Sequence, residues 1–124
     1  MPKTAIVSVV DDDESVRISL AALVRSLGHI AHGFASAEAF LASGKAEQTD
    51  CLITDVQMPG MSGLDLQHQI IGRGGNVPMI FITAFPDDRL RDHVLAAGAL
   101  GLLAKPYDGD ILVSLIDTAL SSRP

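Results

Sequence analysis

Short apolar runs recur along this chain, and several of them stop dead at a polar residue rather than fading out. Ala5-Ile-Val-Ser-Val-Val10 is β-branched and ends at Asp11; Cys51-Leu-Ile-Thr54 ends at Asp55; Pro78 to Thr83 closes on a hydroxyl; Leu100 to Ala104 ends at Lys105. Ile30 to Phe34 is a weaker run of the same kind. Between them the period changes to that of a helix. Val16, Leu20, Leu23, Val24 and Leu27 recur at helical spacing before Gly28. Ser36 is placed to cap a short helix through Ala37, Ala39, Phe40 and Leu41, closed by Gly44. Leu64 to Ile71, then Asp87 to Ala97 before Gly98, and finally Ile111, Leu112, Leu115, Ile116, Ala119 and Leu120 mark three more helices. Gly72-Arg-Gly-Gly-Asn76 is a connector. Strands that read as continuous apolar runs, alternating with helices, imply a parallel sheet covered on both faces.

The expected fold is therefore α/β: one doubly wound, five-stranded parallel sheet with five helices, flavodoxin-like in the order 2-1-3-4-5. A chain of 124 residues suits one domain. With no Trp, one Tyr and four Phe, its core has to be aliphatic. The formal charge of −6 and nine scattered basic residues argue against nucleic-acid binding, which needs clustered cations to displace counterions. The single Cys51 excludes an internal disulfide, and its apolar run reads as core. No segment approaches a membrane span, and the run before Asp11 is too short for a signal peptide, so the expected location is cytoplasmic. Ser121 to Pro124 reads as a tail or the start of a linker.

In an open parallel sheet, ligands bind beyond the carboxyl ends of the strands. Asp11-Asp12-Asp13, Asp55, Thr83 and Lys105 all fall there. Taken one at a time, each has a plain explanation. Asp13 and Glu14 suit a helix start, Asp55 a turn before Pro59-Gly60, Thr83 a strand terminus and Lys105 the surface. Placed together they describe different chemistry. Clustered carboxylates repel and call for a counter-charge. Mg²⁺ answers that need through a few carboxylates, phosphate oxygens and water. An ammonium and a hydroxyl complete a phosphoryl-transfer site in which one carboxylate is the covalent acceptor. The four histidines, His29, His32, His68 and His93, share no metal-ligand spacing and read as surface or boundary residues. Gly72-Arg-Gly-Gly75 follows no strand and lacks the dinucleotide fingerprint.

Val9-Val-Asp-Asp12, Thr54-Asp-Val-Gln-Met-Pro-Gly-Met-Ser-Gly-Leu-Asp65, Ile82-Thr-Ala84 and Ala97-Gly-Ala…Lys105-Pro-Tyr107 resemble the receiver domain of two-component response regulators, in order and over nearly the whole chain. Ser36-Ala-Glu-Ala-Phe-Leu41 is similar to the FixJ-type branch. The resemblance implies a receiver domain over residues 1–124 in which Asp55 takes a phosphoryl group from a sensor histidine kinase or phosphotransfer protein. It further implies Mg²⁺ held by Asp11, Asp12, Asp55 and the backbone carbonyl of Gln57, with Thr83 and Lys105 contacting the phosphoryl group. The alternative register, Asp12 with Asp13, is disfavoured because the apolar run ends at Val10. The implied role is a phosphoacceptor switch without turnover of an external substrate, with a homodimer through the helix 4–strand 5–helix 5 face.

One position departs from the pattern. Leu102 stands three residues before Lys105, where the family commonly carries the Tyr or Phe whose swing reports the threonine's movement. Tyr107 reads as packing. Phe85 and Gln57 flank the path of attacking water, and their bulk is expected to influence the lifetime of the phosphorylated state. Two rivals remain: a pseudo-receiver regulated by protein partners alone, and a small phosphohydrolase. Asp55-Val-Gln57 lacks the second acid two residues on that a haloacid-dehalogenase-like phosphatase would use. The chain ends before a C-terminal helix-turn-helix domain would fit, so the expectation is a single-domain regulator or a fragment.

Overall fold

The computed structural model describes residues 4–121. Of the expected tail, residues 122–124 lie outside it. The elements alternate as β1 (Ile6–Val10), α1 (Glu14–Ser26), β2 (Ile30–Phe34), α2 (Ala37–Ala42), a 3₁₀ turn (Ala46–Gln48), β3 (Cys51–Asp55), α3 (Gly63–Gly72), β4 (Met79–Thr83), α4 (Asp88–Ala96), β5 (Gly101–Ala104) and α5 (Gly109–Ser121). The strands form one parallel sheet in the order β2-β1-β3-β4-β5. This is the expected fold, with strand and helix ends differing from the sequence reading mostly by a residue.

Alternation along the strands splits the core in two. Val7 and Val9 of β1, Cys51 and Ile53 of β3, and Ile80 and Ile82 of β4 face α1 and α5, packing on Leu20, Val24, Leu112 and Ile116. Val10, Leu52, Met79, Phe81 and Leu102 face the other way, against Ala37 and Phe40 of α2, Leu66 and Ile70 of α3, and Val94 of α4. Cys51 is fully buried, and burial, with a smaller push from Asp50, raises its thiol to about 12. It is inert core.

The helix starts obey simple chemistry. Ser36, Asp13 and Asp87 each accept a backbone N–H of the first turn, from Ala39, Val16 and Leu90. Ser62 and Asp65 form a reciprocal capping box on α3. Gly28 and Gly98, at φ +88° and +104°, end α1 and α4 in the left-handed region where a side chain would strain.

The 3₁₀ turn was not visible in the sequence. It delivers Thr49 and Asp50 to β1, where the Thr49 hydroxyl lies 2.7 Å from that of buried Ser8 and Asp50 Oδ2 accepts the Ile6 N–H at 2.8 Å. Ser8, which interrupts the first apolar run, is thereby satisfied. The Lys105–Pro106 peptide bond is cis.

Phe81 is fully buried on β4 beneath α3 and α4. Phe81→Ala is expected to cost about 3–5 kcal/mol, read as a lower urea midpoint at unchanged m-value.

Candidate functional site

The β1–β3 register pairs Val10 with Thr54, so Asp11, the next residue, arrives beside Asp55. Period-2 alternation puts both side chains on the α1/α5 side of the sheet's carboxyl edge. Lys105, two residues beyond Leu103 of β5, follows the same parity and reaches back across β4. Its Nζ lies 3.1 Å from Asp55 Oδ2 and 3.1 Å from Asp11 Oδ2. Thr83 has the opposite parity and meets the site from the α3/α4 side.

Asp11, Asp12 and Asp55 each bring a carboxylate oxygen within 4.8 Å of the others. Asp11 and Asp55 are buried, whereas Asp12 is exposed. Asp13 does not join the group. Its side chain caps α1, and its N–H donates to Asp11 Oδ1 at 2.9 Å. Burial pushes the Asp11 carboxyl above its ordinary range, and the charge of Asp55 adds to this; the Asp13 N–H and the Lys105 ammonium only partly offset them. Burial also works against the Lys105 charge, but the carboxylates of Asp11 and Asp55 outweigh it and hold the ammonium above its ordinary value. Asp11 Oδ2 is buried without a hydrogen-bond partner among the described residues, although Lys105 faces it as an ion pair. A buried anionic oxygen short of partners, among hard oxygen donors, fits a small divalent cation.

Thr83, fully buried, does not point its proton at Asp55. It donates to Gln57 Oε1 at 2.6 Å and accepts the Phe85 N–H at 3.0 Å. Gln57 therefore engages the site through its side chain as well as lying two residues after Asp55. Phe85 is 71% exposed at the rim. Leu102 is buried in the apolar cluster under α4, and Tyr107 packs on the opposite cluster with its hydroxyl 3.2 Å from that of Ser19.

Three supporting contacts were absent from the sequence reading. Arg17 Nη1 donates to the Asp11 carbonyl at 2.7 Å, Glu38 Oε2 accepts the Met61 N–H at 3.1 Å, and a Cβ on Gly63 would collide with the Asp55 carbonyl oxygen. Arg and Glu on α1 and α2 carry no spacing signal toward loops elsewhere. Only the position of Gly63 in the turn after Asp55 hinted at a tight approach. The histidines hold no such place. His68 and His93 are exposed, their rings edge-on at 5.5 Å, and half-buried His29 accepts the Ala5 N–H.

The response regulator receiver domain family profile matches residues 7–117. Response regulator protein TmoT of Ectopseudomonas mendocina is 39% identical over 120 residues, covering 97% of this chain and 54% of that protein. The transcriptional regulatory protein FixJ of Azorhizobium caulinodans is 38% identical over 120 residues, covering 97% and 57%. The chain thus spans about half the length of the curated relatives it matches. Among solved structures, FixJ-N superposes with a TM-score of 0.86 at 33% identity, covering 98% of each chain. A response regulator receiver protein from Burkholderia phymatum does so with 0.82 at 40% identity, covering 95% and 96%.

The two raised pKa values set a pH dependence. Ionising Asp11 costs stability that is present below pH 3.8 and lost as pH rises through its higher folded value. The ion pair with Lys105 holds until pH passes beyond 10.5. Lys105→Met leaves both carboxylates unanswered. With the Lys105 side chain 20% exposed, the expected loss at pH 7 in chelator is about 1–3 kcal/mol, roughly 4–10 °C in Tm. Calorimetry at pH 7 and pH 5 checks it: the deficit narrows at the lower pH, and an equal deficit at both would contradict the charge-balance account.

Proposed function

The chain belongs to the response regulator receiver domain family of two-component systems, on its FixJ-type side, and from that premise we propose that Asp55 is its phosphoryl acceptor. The observation that carries this reading is the shared contact of one ammonium, Lys105, with two buried carboxylates, Asp11 and Asp55. A carboxylate oxygen of Asp55 attacks phosphorus, a P–O bond to it forms, and the bond to the donor's leaving group breaks. Where the donor is a phosphohistidine, the imidazole nitrogen leaves with the electron pair. The product is an aspartyl phosphate, and no external substrate is turned over.

Asp11, Asp12, Asp55 and the Gln57 backbone carbonyl would hold Mg²⁺. The ion supplies charge neutralisation to the phosphoryl oxygens when bound. The chain's own residues do the rest. Arg17 and the Asp13 N–H fix Asp11 in place, Lys105 moves its ammonium from a carboxylate toward the phosphoryl group, and the Thr83 hydroxyl donates a hydrogen bond to that group. These contacts favour one of two conformations, so phosphorylation shifts a population. The surface altered is the α4–β5–α5 face, through which the domain would homodimerise. Exposed Leu95 on α4 and Ile111 on α5 support that face as an interface.

The donors proposed are a sensor histidine kinase or a phosphotransfer protein. The domain itself is read as spanning residues 1–124, acting in the cytoplasm and binding no nucleic acid. Among the described residues no helix is long and apolar enough to cross a membrane.

Intact mass after incubation with acetyl phosphate and Mg²⁺ tests the acceptor. The wild type is expected to gain one phosphoryl group and Asp55→Asn none. No gain in either, with Mg²⁺ present, would favour a pseudo-receiver. A second expectation concerns Phe85, which stands exposed at the rim beside Thr83. Phe85→Ala should change the dephosphorylation rate severalfold, by about 3-fold or more if the ring screens water, and an unchanged rate would remove its role.

A further inference from the structure

A hydroxyl has one proton to give. That of Thr83 is given to Gln57 Oε1 at 2.6 Å, while the oxygen accepts the Phe85 N–H at 3.0 Å. Thr83 is buried, so its hydroxyl proton needs a protein acceptor, and the side-chain amide oxygen of Gln57 supplies one. A proton committed to Gln57 cannot at the same time reach a phosphoryl group on Asp55.

The two partners are not equally placed. Thr83 is fully buried, so it cannot exchange Gln57 for water without cost. Gln57 is exposed, so its amide oxygen recovers a water hydrogen bond as soon as Thr83 leaves. The bond is therefore held from the threonine side and released cheaply from the glutamine side. Thr83 gives it up only when another acceptor arrives within reach.

We propose that the Gln57 side chain is a latch that holds Thr83 in its unphosphorylated rotamer and sets how readily the switch is thrown. This rests on Asp55 being the phosphoryl acceptor. It is separate from any role of Gln57 as an obstacle to water, which depends on bulk. The latch depends on one acceptor oxygen. It is separate also from the Gln57 backbone carbonyl, which a side-chain change leaves in the chain.

The test uses Gln57→Met, which keeps the reach of the side chain and removes the acceptor. Beryllofluoride, a phosphoryl mimic, is titrated by calorimetry at saturating Mg²⁺ into the wild type, Gln57→Met, Thr83→Ala and the double variant. Loss of one ground-state hydrogen bond is expected to tighten binding about 3- to 10-fold in Gln57→Met. In the Thr83→Ala background the same substitution should give no gain. Equal or weaker binding by Gln57→Met overturns the latch, and so does a gain that persists without Thr83.

If the wild type takes up no beryllofluoride at all, the acceptor reading has failed. The latch is then judged in the free proteins, from three-bond couplings to the Thr83 methyl carbon. One χ1 rotamer in the wild type with averaging in Gln57→Met upholds the restraint of Thr83 by Gln57, and identical couplings in both overturn it.

Discussion

Two buried carboxylates cannot stand side by side at the end of a sheet unless something answers their charge, and in this protein Lys105 does so. Asp11 and Asp55 arrive together because β1 and β3 are neighbours in register, and their strands keep the same parity. Lys105 comes from the far strand and crosses β4 to lie 3.1 Å from each. The balance is incomplete, since one ammonium faces two buried acids and a third, exposed one. Burial still pushes Asp11 toward its protonated form. A site left short of positive charge in this way suits a divalent cation followed by a phosphoryl group, because each finds partners already in place.

Around that imbalance the fold is held firmly. The Asp13 N–H fixes one oxygen of Asp11, and Arg17 holds the Asp11 carbonyl. Glu38 reaches from α2 to the loop after β3, and Gly63 lets the start of α3 approach the Asp55 carbonyl where no Cβ would fit. Against these fixed parts, Thr83 and Gln57 are joined side chain to side chain by one hydrogen bond. One is buried and the other exposed, so the same hydrogen bond restrains them unequally. The proposed latch places one hydroxyl that changes partners within a rigid frame, which suits a phosphorylation switch. Leu102, packed in the apolar cluster under α4, has no polar group or ring with which to register that change.

Much of this was legible in advance, and the reasons are specific. The strands could be read because both faces of a parallel sheet are covered, which writes them as unbroken apolar runs. The helices could be read because Ser36, Asp13, Asp87 and Gly28 are residues whose chemistry has few other uses at those positions. Asp13 is one of these, since its side chain caps α1 and does not join Asp11 and Asp12. What escaped notice was short or remote. The 3₁₀ turn at Ala46–Gln48 is three residues long and carries no period, although it supplies Thr49 to the one polar residue inside β1. Arg17 and Glu38 act on backbone groups, and a backbone carbonyl or N–H leaves no mark in the identity of the residue that bears it.

The sequence by itself determined the order of elements, the two faces of the core and the ends of the strands at which chemistry would gather. Periodicity and capping are local, and 124 residues in strict alternation leave few topologies open. The tertiary structure alone decided which oxygen faces which nitrogen. It brought the Lys105 ammonium to both Asp11 and Asp55, and it turned the Thr83 hydroxyl to Gln57 rather than to Asp55. Those outcomes depend on ångström distances between residues 26 to 94 positions apart, from Thr83–Gln57 to Lys105–Asp11. No local preference encodes them, because a hydrogen bond's partner is chosen by packing after the backbone has closed.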